Sequence, residues 1–180
     1  MEPVSIRTKN PGAMWPGTVS KRFGSTEWIP CGGGNKAAVF PTYEQGGAAQ
    51  FYLWAHNYSG MTLEAAIYKW SGHNSSPEYA RFLSQHIPSL SMSTVITKDF
   101  LASPEGLTFM KVQAHWEAGK PYPMTDVQWK AAQAMAFGEP VPVPTPMPVP
   151  TPVPAPSKEA VSWQIKLIRA LFGLVVRLFK

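Results

Sequence analysis

The sequence predicts a mainly helical domain followed by two non-globular segments, on three observations. Between Thr42 and Phe137 apolar side chains recur at near-helical spacing in runs bounded by capping residues, with little strand-like alternation. From Pro140 to Pro156 every second residue is proline, nine in all, a composition that neither helix nor central strand admits. Residues 158–180 hold five of the sixteen Lys/Arg and one of the eleven Asp/Glu, so +4 of the formal +5 charge lies in that last stretch. The boundaries follow: 1–138 a helical domain of single-core size, 139–157 a proline-rich linker, 158–180 a cationic segment.

Residues 5–42 read as loops. Asn10-Pro11-Gly12 and Pro16-Gly17 are turn signals, and Cys31-Gly32-Gly33-Gly34-Asn35 is a flexible run before the apolar Ala37-Ala38-Val39-Phe40. A phosphate loop is excluded, because no Gly-Lys-Ser/Thr follows the glycines. From Thr42 the spacing of Tyr43, Ala48, Phe51, Tyr52, Trp54, Ala55 and Tyr58 predicts a helix that ends by Gly60. Thr62 caps a second, Leu63 to Trp70, stopped by Ser71-Gly72. Ser76-Pro77-Glu78 opens a third, which carries Tyr79, Phe82 and Leu83 and stops near Pro88; Ser89 to Thr94 connects it to a turn capped by Thr97. Ser103 caps a helix that starts at Pro104 and ends at Gly119, and Thr125-Asp126 opens the last, closed by Gly138. About six helices with short links predict an all-α globule.

Glu117 stands out chemically. It lies in the last turn of the 104–118 helix, where the negative end of the dipole disfavours its anion, and Trp116 is beside it. Partial burial there would raise its pKa further, as a general acid requires. The same position suits an ordinary solvated surface residue, and burial decides between the two.

Composition removes several classes. A single cysteine, Cys31, allows no intramolecular disulfide framework and no cysteine zinc cluster, and four scattered histidines show no metal-ligand spacing, so no metal or cofactor is expected. Outside the cationic segment the chain is nearly neutral, which argues against nucleic acid as partner. The start, Met1 to Asn10, has no apolar core of a cleavable signal peptide.

The proline tract should form polyproline II, a semi-rigid spacer of about 50 Å at roughly 3.1 Å per residue; partner docking through Pro-x-x-Pro is the alternative. On a helix over 161–180, Lys166, Arg169, Arg177 and Lys180 fall with Ser162 and Gly173 in an arc of about 80°. Trp163, Phe172 and Phe179 lie on the apolar remainder. Charges inside the segment disfavour a simple membrane span, whereas an interfacial helix attracted to an anionic membrane surface fits. Docking back on the domain or on other copies is the alternative.

Arg7-Thr8-Lys9-Asn10-Pro11-Gly12-Ala13, the stretch from Ala38-Val39-Phe40 to Gly46-Gly47-Ala48-Ala49, Thr62-Leu63-Glu64-Ala65-Ala66-Ile67-Tyr68-Lys69-Trp70 and His115-Trp116-Glu117-Ala118-Gly119 together resemble a known family. It is the group of small phage and prophage proteins with a lysozyme-like domain, often labelled virion structural proteins. Their pattern reads Asn-Asn-Pro-Gly-Asn-Ile-Arg near the start and His-Glu-Asn-Gly later. The resemblance covers residues 5–138. Here Lys9 and Ala13 stand where the family has Asn, Ala13-Met14-Trp15 replaces Asn-Ile-Arg, and one residue is inserted in the late motif. A more distant likeness is to lytic transglycosylases and glucosaminidases, whose catalytic helix ends in Glu-Ser-Gly and precedes the Asn-rich loop. In this chain the order is reversed, as a circularly permuted lysozyme-like domain would have it.

The resemblance implies an enzyme that cleaves, or at least binds, peptidoglycan glycan strands, in a phage virion or at the bacterial envelope. Glu117 would be the proton donor to the glycosidic oxygen. Glu44, then Glu27, would be the second carboxylate that a hydrolase needs and a transglycosylase does not. Trp15, Trp28, Tyr43 and Trp70 can stack on sugar faces or simply pack, and Asn10 can bond an N-acetyl group or form the turn. The alternative is a non-catalytic virion or envelope structural protein that keeps the fold.

Overall fold

The computed structural model describes residues 2–73 and 77–138. Within them the chain is mainly helical. Two short helices, α1 (Val4–Arg7) and α2 (Thr18–Arg22), and a hairpin of β1 (Glu27–Pro30) and β2 (Lys36–Val39) precede six further helices. These are α3 (Tyr43–Asn57), α4 (Leu63–Trp70), α5 (Pro77–His86), α6 (Lys98–Ala102), α7 (Pro104–Ala118) and α8 (Asp126–Phe137). The proline linker and the cationic segment expected at 139–157 and 158–180 lie outside the described residues. No helix among the described residues is long and apolar enough to cross a membrane.

Five of the six helices read from the pattern start where their caps place them. The side chains of Thr42, Thr62, Thr97, Ser103 and Thr125 each accept a backbone N–H at the third residue of the helix that follows, which satisfies one of its orphan donors. Gly119 ends α7 in the left-handed conformation, φ 64°, which fixes Glu117 in the last turn.

Residues 5–42 are more ordered than the loop reading allowed. The one-turn α1 has no side-chain cap; it is held by the buried Ile6 and by Tyr122, whose hydroxyl donates to the Ser5 carbonyl at 2.9 Å. Cys31–Asn35 is a hairpin loop, closed by Cys31 N–H to the Asn35 carbonyl (3.0 Å) and Asn35 N–H to the Gly32 carbonyl (2.9 Å), and Cys31 is exposed. The strands pair antiparallel with Trp28 opposite Ala38, and the other side of β2 is covered by the 10–14 loop, since Ala38 N–H donates to the Met14 carbonyl at 3.0 Å.

The main core is aromatic at its centre. Trp54 of α3 is fully buried, with Phe109 of α7 edge-on at 4.8 Å and Trp70 of α4 stacked at 5.4 Å. Burying side chains of this size supplies about 1.5–3 kcal/mol each, which is what pins α4 and α7 to α3. A smaller core of Met14, Phe23, Ala38, Phe40, Ala48 and Ala49 fastens the hairpin and the 10–14 loop to the other side of α3. Small residues in α3 permit that approach. A Cβ on Gly46 would stand 1.8 Å from the Lys9 carbonyl oxygen.

Candidate active site

Where α4, α5 and α7 converge they face the 12–20 loop across an open cleft of about 950 Å³. Glu117 lies at its wall. Trp70 Nε1 donates to Glu117 Oε1 at 2.9 Å, and the Tyr79 hydroxyl donates to the same oxygen at 2.8 Å. Packing holds both donors in place: Trp70 is stacked on Trp54, and Tyr79 lies parallel to Trp116 with ring centres 4.7 Å apart. The other oxygen, Oε2, takes no hydrogen bond among the described residues, and Glu117 lines the cleft.

The electrostatics follow from this geometry. Burial raises the Glu117 pKa above its ordinary value, and the hydrogen bonds from Tyr79 and Trp70 offset part of the rise. The Tyr79 phenol is pushed far up, first by burial and then by the adjacent carboxylate, so it remains a donor. Because Oε1 already accepts two hydrogen bonds, a proton on Glu117 belongs on Oε2. A protonated carboxyl held in one rotamer and presented to an open groove is the arrangement a general acid needs.

The other residues singled out in the sequence divide between cleft and scaffold. Trp15 lines the cleft and is 67% exposed, with its ring free to stack. Trp70 also lines it, but its indole N–H is committed to Glu117 and one face to Trp54, so it positions the acid. Asn10 is fully buried: its Nδ2 donates to the Met14 (2.9 Å) and Ala38 (3.0 Å) carbonyls, and its Oδ1 accepts from Met14 N–H at 3.0 Å. With every polar atom used, Asn10 is the turn former and has nothing left to offer an N-acetyl group. Tyr43 packs edge-on against Tyr122 outside the cleft, and Trp28 lies on the hairpin under the Lys36 ammonium, 3.9 Å from its ring centre.

Neither proposed second carboxylate reaches the site. Glu44 is in the first turn of α3, nine residues before Leu53, the first residue of that helix to line the cleft, so the helical rise sets it about 14 Å away along the axis. Glu27 is exposed on β1. Among the described residues that line the cleft, Glu117 is the one carboxylate and Lys69 the one cation. No group of His, Cys, Asp and Glu among the described residues can hold a metal ion. The residues expected to face a membrane, Trp163, Lys166, Arg169, Phe172, Arg177, Phe179 and Lys180, lie outside the described residues.

The pattern did not single out Tyr79. Tyr79 reads as one more apolar residue of a helix, and only the pairing of α5 with α7 brings its hydroxyl to Glu117. Comparison with protein-family models and with curated protein sequences gives no match.

Proposed function

We propose that residues 1–138 are a lysozyme-like module that cleaves the glycan strand of peptidoglycan, with Glu117 as the general acid. The observation that carries this is the single carboxyl among the described lining residues, whose two donors converge on Oε1 and leave Oε2 to deliver a proton, at the wall of a cleft of about 950 Å³. A detail of the loop supports the resemblance behind it. Lys9 and Ala13, which stand where the resembled family has Asn, both adopt left-handed backbone, φ 51° and 48°, the conformation Asn tolerates best after glycine.

With no second carboxylate in the cleft among the described residues, the route that fits is transglycosylation. Glu117 gives its Oε2 proton to the glycosidic oxygen as the C1–O bond breaks. A hydroxyl of the same sugar closes on C1 and returns its proton to Glu117, so no water is consumed. The lone carboxylate also suits a second reading, a virion or envelope structural protein that binds the glycan without cutting it. Incubating the purified full chain with cell-wall sacculi separates the two. Soluble muropeptides one water lighter than hydrolysis products, lost in Glu117→Gln, support the enzyme; glycan binding without release supports the structural protein.

The proline-rich linker and cationic segment would tether the module to an anionic membrane surface, on the charge stripe and apolar remainder of residues 158–180. Full-length chain should float with anionic vesicles and a truncation after Gly138 should not. Equal flotation would remove the tether.

A further inference from the structure

Lys69 is the neighbour of Trp70 on α4 and lines the same cleft, and the proposed chemistry does not use it. Its ammonium is anchored. Nζ donates to the Asn57 carbonyl at the end of α3 at 2.9 Å and stands 5.0 Å from the centre of the Tyr58 ring. An ammonium has three N–H donors, and this anchor takes one. The side chain is exposed, and no protein carboxylate completes the pair: among the described residues the ion pair is Lys111 with Asp126. Nor does Lys69 serve the acid, whose proton affinity is set by burial and by the Tyr79 and Trp70 hydrogen bonds. Because burial disfavours the Glu117 anion and Lys69 is the one cation among the described lining residues, the charge balance of the cleft tilts toward positive. Capping the last turn of α3 accounts for the Asn57 bond. It leaves two donors at the wall of the cleft without a use.

We propose that Lys69 is a specificity-determining residue: its ammonium binds a carboxylate carried by the glycan, so that the cleft favours an acidic strand over a neutral one. The inference rests on the glycan-binding reading of the cleft. Peptidoglycan carries carboxylates from two sources, the lactyl group on every second sugar where no stem peptide is attached, and the stem peptide itself. A strand of N-acetylglucosamine alone has neither. Trp15 on the facing loop offers a ring to a sugar face, a contact that does not distinguish the two strands, whereas a fixed cation does. A lysine free in solvent loses side-chain entropy when it closes an ion pair. Here the Asn57 and Tyr58 contacts have already restricted it, so less is lost on binding.

The test measures binding of the full chain, carrying Glu117→Gln so that no strand is cut, to soluble peptide-free glycan strands in two forms. One has its lactyl carboxylates free and the other has them converted to carboxamides. Peptide-bearing strands, untreated and amidated, make a second pair, and the pair that shows the preference identifies the source of the carboxylate. The quantity read is the acid-to-amide affinity ratio of this parent chain divided by that of the same chain with Lys69→Met. Any attraction that residues 158–180 add is common to both chains and cancels. The quotient should be about five, the upper end for an ion pair open to solvent, and should shrink as salt rises. Lys69→Arg should keep the preference of the parent. A quotient of one in both pairs would overturn the proposal, and a lower urea midpoint in Lys69→Met beside it would leave Lys69 a helix cap alone. If Lys69→Met does not fold, Lys69→Gln takes its place. Binding without preference rejects Lys69 and keeps the glycan reading, whereas no binding of any strand by the parent rejects both.

Discussion

The two walls of the cleft are built by different physics. The helical wall, Trp70, Tyr79, Trp116 and Glu117, is fixed by ring packing on a shared aromatic core. The facing loop wall, from Gly12 to Ser20 with Asn35 of the hairpin, rests on the smaller core around Met14, Phe23 and Phe40 and adds hydrogen bonds to it. It is held by the buried Asn10 side chain, by Phe40 N–H on the Thr8 carbonyl at 2.9 Å, and by close backbone approach to α3 at Gly46. Rigid packing places the titrating group, and a hydrogen-bonded loop places the exposed Trp15. In the proposed function, the proton donor belongs to the ring-packed wall and the exposed stacking surface to the loop wall.

Breaking the seam between the walls should have the largest effect. Gly46→Ala puts a Cβ into the Lys9 carbonyl, an atom of the backbone that cannot swing aside, and should cost about 3 kcal/mol, the upper end for overpacking. Urea denaturation measures it, and an undiminished midpoint would mean the loop wall is not seated against α3. Asn10→Ala comes next. It leaves the Ala38 carbonyl and the Met14 N–H without their partner, and the Met14 carbonyl with Ala38 N–H alone, at about 1–3 kcal/mol in stability. Because α3 to α8 do not depend on it, far-ultraviolet helicity should survive while access of a quencher to Trp15 changes.

Trp15→Ala sharpens the contrast. The ring is largely exposed and packs on nothing that needs it, so stability should stay within about 0.5 kcal/mol. Loss of a stacking surface should weaken glycan binding by about 0.5–1.5 kcal/mol, up to roughly tenfold, read as retention on sacculi. A variant that binds as tightly as wild type would move the glycan off the loop wall.

The same contrast explains what the sequence reveals. From α3 to α8, periodicity, the Thr and Ser caps and the closing glycines mark each helix, because those signals act within a few residues. Glu117 is legible for the same reason, being defined by Ser103, Pro104 and Gly119 along one helix. The loop wall is not, because α1, the hairpin and the Asn10 turn depend on partners far along the chain, such as Tyr122 for Ser5 and Ala38 for Asn10. Glu44 was misplaced by the same limit. Sequence marks it as a first-turn carboxylate but carries no measure of which end of α3 meets the cleft.

The smallest effect on stability, and one of opposite sign, belongs to the acid itself. Glu117 binds its proton more tightly in the folded chain than in the unfolded one, because burial disfavours the anion. Its contribution to stability is therefore full below the unfolded carboxyl value and declines as pH rises through the folded one, where the native state must ionise a buried group. Glu117→Gln keeps an acceptor for Trp70 and Tyr79 and has no charge to bury. Its stability should equal or exceed that of the wild type at pH 7–8, and the difference should shrink on acidification below the ordinary glutamate range. Urea denaturation of both chains across this range reads the slope. A variant that is less stable at neutral pH than at acid pH, relative to wild type, would mean that Glu117 stabilises the fold as an anion, and the proton on Oε2 would then have no basis.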